Sequence, residues 1–362
     1  VETIIPLKSP FRKAGARRAN ADSKKVKEYA KKCGADIVGI GSMDRFEGAP
    51  KEMDPRYIFP EAKAIIGFGL RIPRGCFRGI EEGTYFAAYP SMGYAGINLV
   101  YAPSVLREVV CMIENEGYEA VPIQNMVIQS SVDILQGKKR NISVPVAPGK
   151  PAPDILLHFR IAAVACGMGE IGYSKMFLSP EFGPRQRLVF MLTDAPLEPD
   201  PIFEGNLCDR CMNCVKECSG KAISKTKTIK IKVAEKEIEW GELNEERCLL
   251  AYTGGARKTS PFLPSDFKDI DFDKIERDSG GYSIAGTQEL YYKTPYNAAS
   301  VNIFHHLGAT EGAKGCIRAC MIHLEEQGKL KNKFKKPFRK KKLWSLGGIN
   351  KELGKDVGMD LS

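Results

Sequence analysis

Cys208-Asp-Arg-Cys211-Met-Asn-Cys214-Val-Lys-Glu-Cys218 places four thiols within eleven residues. Three of them recur at every third position, so one short loop can wrap all three around a small inorganic core. The fourth lies a helical turn further on and points to a second centre. Zinc sites also use C-x2-C, but as two separated pairs around one tetrahedral ion. A zinc or purely structural role is therefore the alternative to iron–sulfur chemistry on this stretch. The chain holds 11 cysteines, an odd number without the spacing of a disulfide framework.

Working outward, Gly315-Cys316-Ile-Arg-Ala-Cys320 preserves the C-x3-C end of a second such motif, with Ala313 where a further Cys would fall. Cys248, in Glu246-Arg247-Cys248-Leu249, is the remote candidate. The spacing is similar to that of bacterial ferredoxins, although Ser219 and Met321 stand where those motifs usually carry Pro. Crossing the ligands as in two-cluster ferredoxins gives Cys208, Cys211, Cys214 and Cys320 to a first [4Fe-4S] centre. Cys218, Cys248 and Cys316 then remain for the second. Three ligands imply a [3Fe-4S] centre, a [4Fe-4S] centre with an open or non-Cys ligand such as His305 or His306, or recruitment of another Cys. Cys33, Cys76, Cys111 and Cys166 are expected to be buried small apolar side chains.

The 362-residue chain is 43% hydrophobic and 27% charged, the balance of a soluble globular protein that buries a full core. Disorder, collagen-like repeats and small disulfide scaffolds are excluded. The most apolar run, Ile155 to Gly169, carries His158 and Arg160, so no transmembrane segment is expected. No export signal is visible from Val1 onward, and a leader already removed would leave no trace. The expected location is cytoplasmic or peripheral at a membrane face. The net charge of +10 is local: nine basic residues and no acid lie between Lys329 and Lys342. Such a strip suits an acidic protein, an anionic membrane surface or tRNA, or else stays a solvated tail.

Four parts are expected. Residues 1–20 form a basic N-terminal arm. Residues 21–203 alternate helices (22–32, 103–116, 156–166) with strands (36–40, 62–70, near 120–123, 187–192) and read as an α/β core. Residues 204–325 form the cysteine module, with an inserted hairpin over 225–241 and a long turn-rich stretch over 253–302 that covers a site. Residues 326–362 form a basic C-terminal tail.

Gly167-Met-Gly-Glu-Ile-Gly172, then Leu178-Ser-Pro-Glu-Phe-Gly-Pro-Arg185-Gln-Arg187, then Thr193-Asp-Ala-Pro-Leu-Glu-Pro-Asp200 precede the cysteine motif at a set distance. In this order, with Arg247-Cys248-Leu-Leu-Ala-Tyr-Thr and Phe59-Pro-Glu-Ala-Lys-Ala-Ile-Ile-Gly, the chain resembles the cobalamin-dependent iron–sulfur reductases. These comprise the reductive dehalogenases and the epoxyqueuosine reductases. The resemblance implies an α/β (α+β) fold: a nitroreductase-like corrinoid-binding core with a two-cluster bacterial-ferredoxin-like module. It implies two iron–sulfur clusters, cobalamin, a low-potential electron donor such as ferredoxin or flavodoxin, and an anaerobic setting. Gly167, Met168, Gly169, Glu170, Gly172 and Phe182 are the expected corrinoid-binding residues.

Glu170 looks like the dehalogenases, whereas epoxyqueuosine reductases tend to carry Trp there. Their catalytic Asp matches Pro153 without gaps, or Asp154 after a one-residue shift. Dehalogenases use a Tyr proton donor beside a cation. Tyr89 and Tyr94, read as loop residues, are the candidate donors, and Arg187 is the candidate cation. The expected reaction is reductive loss of halide from a small molecule through Co(I). Epoxyqueuosine-type reduction of a tRNA base is the enzymatic alternative, and an iron–sulfur electron-transfer subunit is the non-catalytic one.

Overall fold

Short apolar strands and amphipathic helices alternate along the first two hundred residues, and the architecture follows from how they share faces. The structure is a computed structural model describing residues 22–125, 132–133, 138–139, 144–153, 155–263, 269–275, 309, 311, 314–339 and 344–346. The expected N-terminal arm, Asp154, His305, His306 and most of the 253–302 stretch lie outside the described residues. Helix α1 (Ser23–Lys32) begins where Asp22 accepts from the Lys24 N–H at 2.8 Å. It ends before Gly34, whose φ of +114° takes the turn that a side chain would resist.

Strands β1 (Ile37–Ser42), β2 (Ala64–Arg71), β3 (Ala120–Ile123) and β4 (Gln186–Thr193) form one sheet in the order β1-β2-β4-β3. Every neighbouring pair is antiparallel, with Gly67 opposite both Gly39 and Phe190. The helices thus pack on an antiparallel sheet, the α+β form of the expected mixed class. Period-two alternation divides the core. Ile66, Phe68, Val189 and Met191 face α1 and helix α3 (Ala102–Asn115), through Val26, Ala30, Val105 and Val109. Ile65, Phe190 and Leu192 face helix α4 (Phe159–Ala165), through Ala162 to Ala165. Helix α2 (Arg78–Glu82) lies beyond the end of β2.

Tyr89–Tyr101, expected as a loop, is a wide-turn helical segment running directly into α3. The whole stretch Phe86–Asn115 is long and apolar enough to cross a membrane by length and composition. Its inward side, however, is buried against the sheet.

The cysteine module begins with helix α5 (Asn213–Lys216). A hairpin of β5 (Ile223–Val233) and β6 (Lys236–Leu243) follows, as its alternation predicted. Helix α6 (Glu245–Tyr252) and helix α7 (Cys316–Glu326) complete it.

The basic C-terminal segment is not a solvated tail over its described part. Residues 329–339 lie as a strap across the body. Lys331 and Asn332 N–H groups donate to the Pro180 and Glu181 carbonyls at 2.9 and 3.0 Å. Phe338 is buried, and Trp344 Nε1 donates to Ile80 O at 3.1 Å. Apolar residues interleaved with the cations supply the anchors that charge counting misses.

A buried ionic network ties these parts together. Arg318 of α7, fully buried, pairs with Glu81 of α2 and with Glu217 beside α5, the latter at 2.9 Å. Arg339 of the strap reaches the same two carboxylates at 3.1 Å. Arg318→Ala leaves both acids without their central cation and is expected to destabilise the fold by about 3–5 kcal/mol. The shift of the urea midpoint measures it; a loss below about 1 kcal/mol, the range of surface pairs, contradicts the network's role.

Candidate functional site

The loop from Leu207 to Cys218 is shaped by two residues held in the left-handed region, Arg210 (φ 57°) and Met212 (φ 63°). Each such turn costs a side-chain-bearing residue about 1–2 kcal/mol. Alternation of handedness between the cysteines curls the backbone so that its N–H groups point inward, the geometry of an anion-binding nest. Tyr173 N–H donates to Cys208 Sγ and Ala222 N–H to Cys218 Sγ, both at 3.3 Å. Such bonds stabilise thiolate ligands. Behind the loop, Glu170 Oε1 accepts from the Leu207 and Cys208 N–H groups at 2.9 and 2.7 Å.

Helix α7 lays Cys316 and Cys320 against this loop. Cys320 lies within electrostatic reach of Cys208, Cys214, Cys316 and Cys211. Cys316 is closest in effect to Cys248 and Cys218. Burial, reinforced by neighbouring thiols, pushes Cys214 and Cys248 up to about 11 and Cys316 and Cys320 higher still. The buried thiols of Cys214, Cys248, Cys316 and Cys320 become thiolates at neutral pH only around a multiply charged metal core, which displaces their protons. The chemistry of this donor set, cysteine sulfur throughout, fits iron–sulfur ligation. His323 and Asp209, which sequence reading passed over, form a pair at the rim (2.8 Å), with Cys211 beside them. His323 follows Cys320 by one helical turn, the signal that was available.

Of the other cysteines, Cys76 and Cys166 are buried as expected, and Cys166 is pushed up to about 12 by burial. Cys33 and Cys111 are only half-buried.

Several of the residues expected to hold a corrinoid lie close against other parts of the chain. A Cβ at Gly167 would meet Pro201 O at 2.2 Å, at Gly169 Leu178 O at 2.0 Å, and at Gly172 Leu178 Cδ1 at 2.9 Å. Gly167 and Gly169 admit the chain's own backbone, and Gly172 the Leu178 side chain. Met168 packs against Gly67 of β2, and Phe182 lies in the core on the α4 side of the sheet. Together with Glu170, they hold the cysteine loop onto the core.

Tyr89, Tyr94 and Arg187, by contrast, do come together. Arg187 Nη2 donates to Tyr89 Oη at 2.9 Å and Nε to Gly93 O at 3.1 Å. Its Cζ lies 3.9 Å from the centre of the Tyr94 ring. Tyr252, at the end of α6, is 6.4 Å from Tyr94 ring to ring. Arg160 of α4 lies near Tyr94, Cys316 and Cys248. Neither Tyr252 nor Arg160 was singled out from sequence, since each joins the group only through tertiary packing.

Tyr89 is sealed inside, against Phe77. Tyr94, Arg160, Arg187, Tyr252, Cys248 and Cys316 are all half-buried. A cluster of half-buried polar side chains of this kind fits the wall of a recess. Burial raises Tyr89 and Tyr252, so both phenols stay protonated at neutral pH. For Arg187, burial opposes the charge, but Tyr89, Tyr252 and Tyr94 outweigh it and the guanidinium stays cationic.

The chain is similar in sequence to two groups of reductases. An epoxyqueuosine reductase of Bacillus subtilis (strain 168) is 24% identical over 270 residues, covering 67% of this chain and 57% of its own length. A tetrachloroethene reductive dehalogenase of Sulfurospirillum multivorans is 41% identical over 228 residues, 55% of this chain and 40% of its own. A solved epoxyqueuosine reductase bound to an epoxyqueuosine-modified tRNA stem loop aligns with 84% of this chain and 82% of its own, at 17% identity and a TM-score of 0.43. No family model matches. By sequence the chain is thus similar both to epoxyqueuosine reductases and to tetrachloroethene reductive dehalogenases. It spans only about half the length of these curated relatives (57% and 40%).

His158, the cap of α4, accepts from Ile161 N–H at 3.3 Å through Nδ1. Burial, then Arg160 and Lys175, lowers its pKa to about 4. The unfolded chain therefore takes up a proton first as pH falls below about 6.5, and stability declines until pH reaches about 4. After discounting for its partial exposure, this removes about 2 kcal/mol. His158→Asn, which keeps a capping acceptor without titrating, is expected to flatten this stretch of the stability–pH curve; an unchanged slope contradicts the assignment.

Proposed function

We propose that the chain is an oxidoreductase that delivers electrons through two iron–sulfur centres to a corrinoid seated in the recess, for reductive removal of halide from a small organohalide. The observation that supports this reading is the gathering of seven thiols in one module, with Cys316 and Cys248 near Arg160 and so near Tyr94, Tyr252 and Arg187. Cys208, Cys211, Cys214 and Cys320 would hold one centre, and Cys218, Cys248 and Cys316 the other. A bound corrinoid would supply a strongly reducing cobalt facing the substrate.

The chain's own residues perform the remaining tasks. In R–X + 2e⁻ + H⁺ → R–H + X⁻, the carbon–halogen bond breaks and the carbon takes up two electrons and a proton. Tyr94, a phenol with surface open to the recess, is placed to give that proton, and Tyr89 orients Arg187 from behind. Arg187 and Arg160 stabilise the departing anion where little water competes. A phenol beside a fixed guanidinium is suited to this pairing of proton donation with anion release.

The second reading, reduction of a modified tRNA base, is favoured by the similarity to epoxyqueuosine reductases and by the exposed lysines of the strap. Anaerobic assays with tetrachloroethene and with an epoxyqueuosine-bearing stem loop, driven by a reduced viologen, separate the two. Halide release without turnover of the stem loop supports the first reading, and the converse supports the second. Cys316→Ala is expected to lose the iron of one centre and keep that of the other, counted per chain after anaerobic reconstitution. Retention of both sets of iron contradicts the ligand assignment. Tyr94→Phe is expected to lower kcat about 100-fold or more with iron content unchanged; an unaltered kcat removes Tyr94 from the chemistry.

A further inference from the structure

Four arginines, Arg71, Arg74, Arg78 and Arg185, converge with Asn332 and Phe334 on an open depression of about 520 Å³. It lies between the end of β2, the start of β4 and the strap. Three of the four have acidic partners: Arg71 with Asp36 at 3.2 Å, Arg74 with Glu325 at 2.8 Å, and Arg78 with Glu82 at 3.3 Å.

Arg185 is different. Only 1% exposed, it donates to Ile72 O at 2.8 Å and to Asn332 Oδ1 at 2.9 Å. Its Nε, also buried, has no partner, and no carboxylate pairs with it among the described residues. Burial pulls its pKa down to about 10 against the opposing effect of Glu325, and Arg74 and Arg71 add to the fall. The nearest acid, Glu325, is already paired with Arg74, so the buried guanidinium has no counter-ion of its own, and an anion entering the depression relieves this.

We propose that this depression binds a phosphate group, with Arg185 as its buried floor and Arg71 and Arg78 as its walls. The planar fork of guanidinium donors matches phosphate oxygens two at a time, and donors arriving from several segments suit a tetrahedral anion better than a planar carboxylate. Arg71 keeps substantial exposure and its surface pair is weak, so it can turn to a ligand, while half-exposed Arg78 is held at the rim by its bond to Phe338 O at 2.6 Å and can offer its remaining donors. Arg74 is committed, stacked 3.6 Å over Phe334 and paired with Glu325. The phosphate has two sources of shared chemistry, a small phosphate ester or the backbone of RNA. Exposed Lys333, Lys335 and Lys336 continue the positive surface out of the depression, which lets a longer polyanion follow it. The proposal is independent of the redox reading above.

The test uses the full chain at constant ionic strength, with inorganic phosphate titrated against chloride and unfolding followed thermally. A saturable rise in Tm is expected. Arg71→Gln and Arg78→Gln, both surface changes, are each expected to weaken phosphate about tenfold, and Arg185→Gln to abolish binding. Should Arg185→Gln fail to fold, the two surface variants decide alone, by titration calorimetry. A 20-nucleotide single-stranded RNA then distinguishes the sources. RNA binding that falls with salt and is displaced by inorganic phosphate supports the site with a nucleic-acid ligand; phosphate binding without RNA binding supports it with a small ester. Absence of a saturable phosphate effect, or an effect equal in wild type, Arg71→Gln and Arg78→Gln, overturns the proposal.

Discussion

Arg318 sets the phase of the helix that completes the cysteine module. It sits two residues after Cys316 and two before Cys320, so on a helix it points away from the face that both thiols share. Glu81 from the core and Glu217 from the cysteine loop meet it on that far side, and Arg339 of the strap closes the group. Rotating α7 to turn either thiol away would expose buried charge without its partner. The ionic network thus fixes the direction of sulfur atoms that it does not touch, and it joins core, cysteine loop and strap into one support.

From that support the arrangement of the site follows in steps. The left-handed turns at Arg210 and Met212 aim the loop's thiols at α7. Cys316 and Cys248 bring the second group to the edge of the recess, where Arg160 stands between sulfur and the phenols. Glu170 and the glycines around it hold the loop to the sheet that carries Arg187. Electron supply and proton supply thereby approach the recess from different elements, which is the physical content of the proposed chemistry.

Much of this was legible in the sequence. The cysteine spacing needs no tertiary information, and the alternation in β2, β4 and the β5–β6 hairpin marks strands by burial alone. The differences have separate physical causes. A glycine required for close approach looks the same whether the approaching group is a ligand or the chain's own carbonyl, and at Gly167 and Gly169 it is the carbonyl. The strap looked solvated because its acidic acceptors, Glu81 and Glu217, lie far away in sequence, and because Leu330, Phe338 and Trp344 are few among many lysines. Tyr94 was read in a loop, since Pro90, Gly93 and Gly96 weaken any helical signal; packing against the sheet overrides it. Tyr252 and Arg160 carry no local pattern at all.

The account rests on two groups of thiols close enough to form neighbouring metal centres. Low-temperature electron paramagnetic resonance of the anaerobically reconstituted chain, reduced stepwise, tests this most directly. Two iron–sulfur signals that broaden each other once both centres are reduced are the predicted result. One isolated signal, or a zinc-loaded protein that accepts no iron, would contradict it.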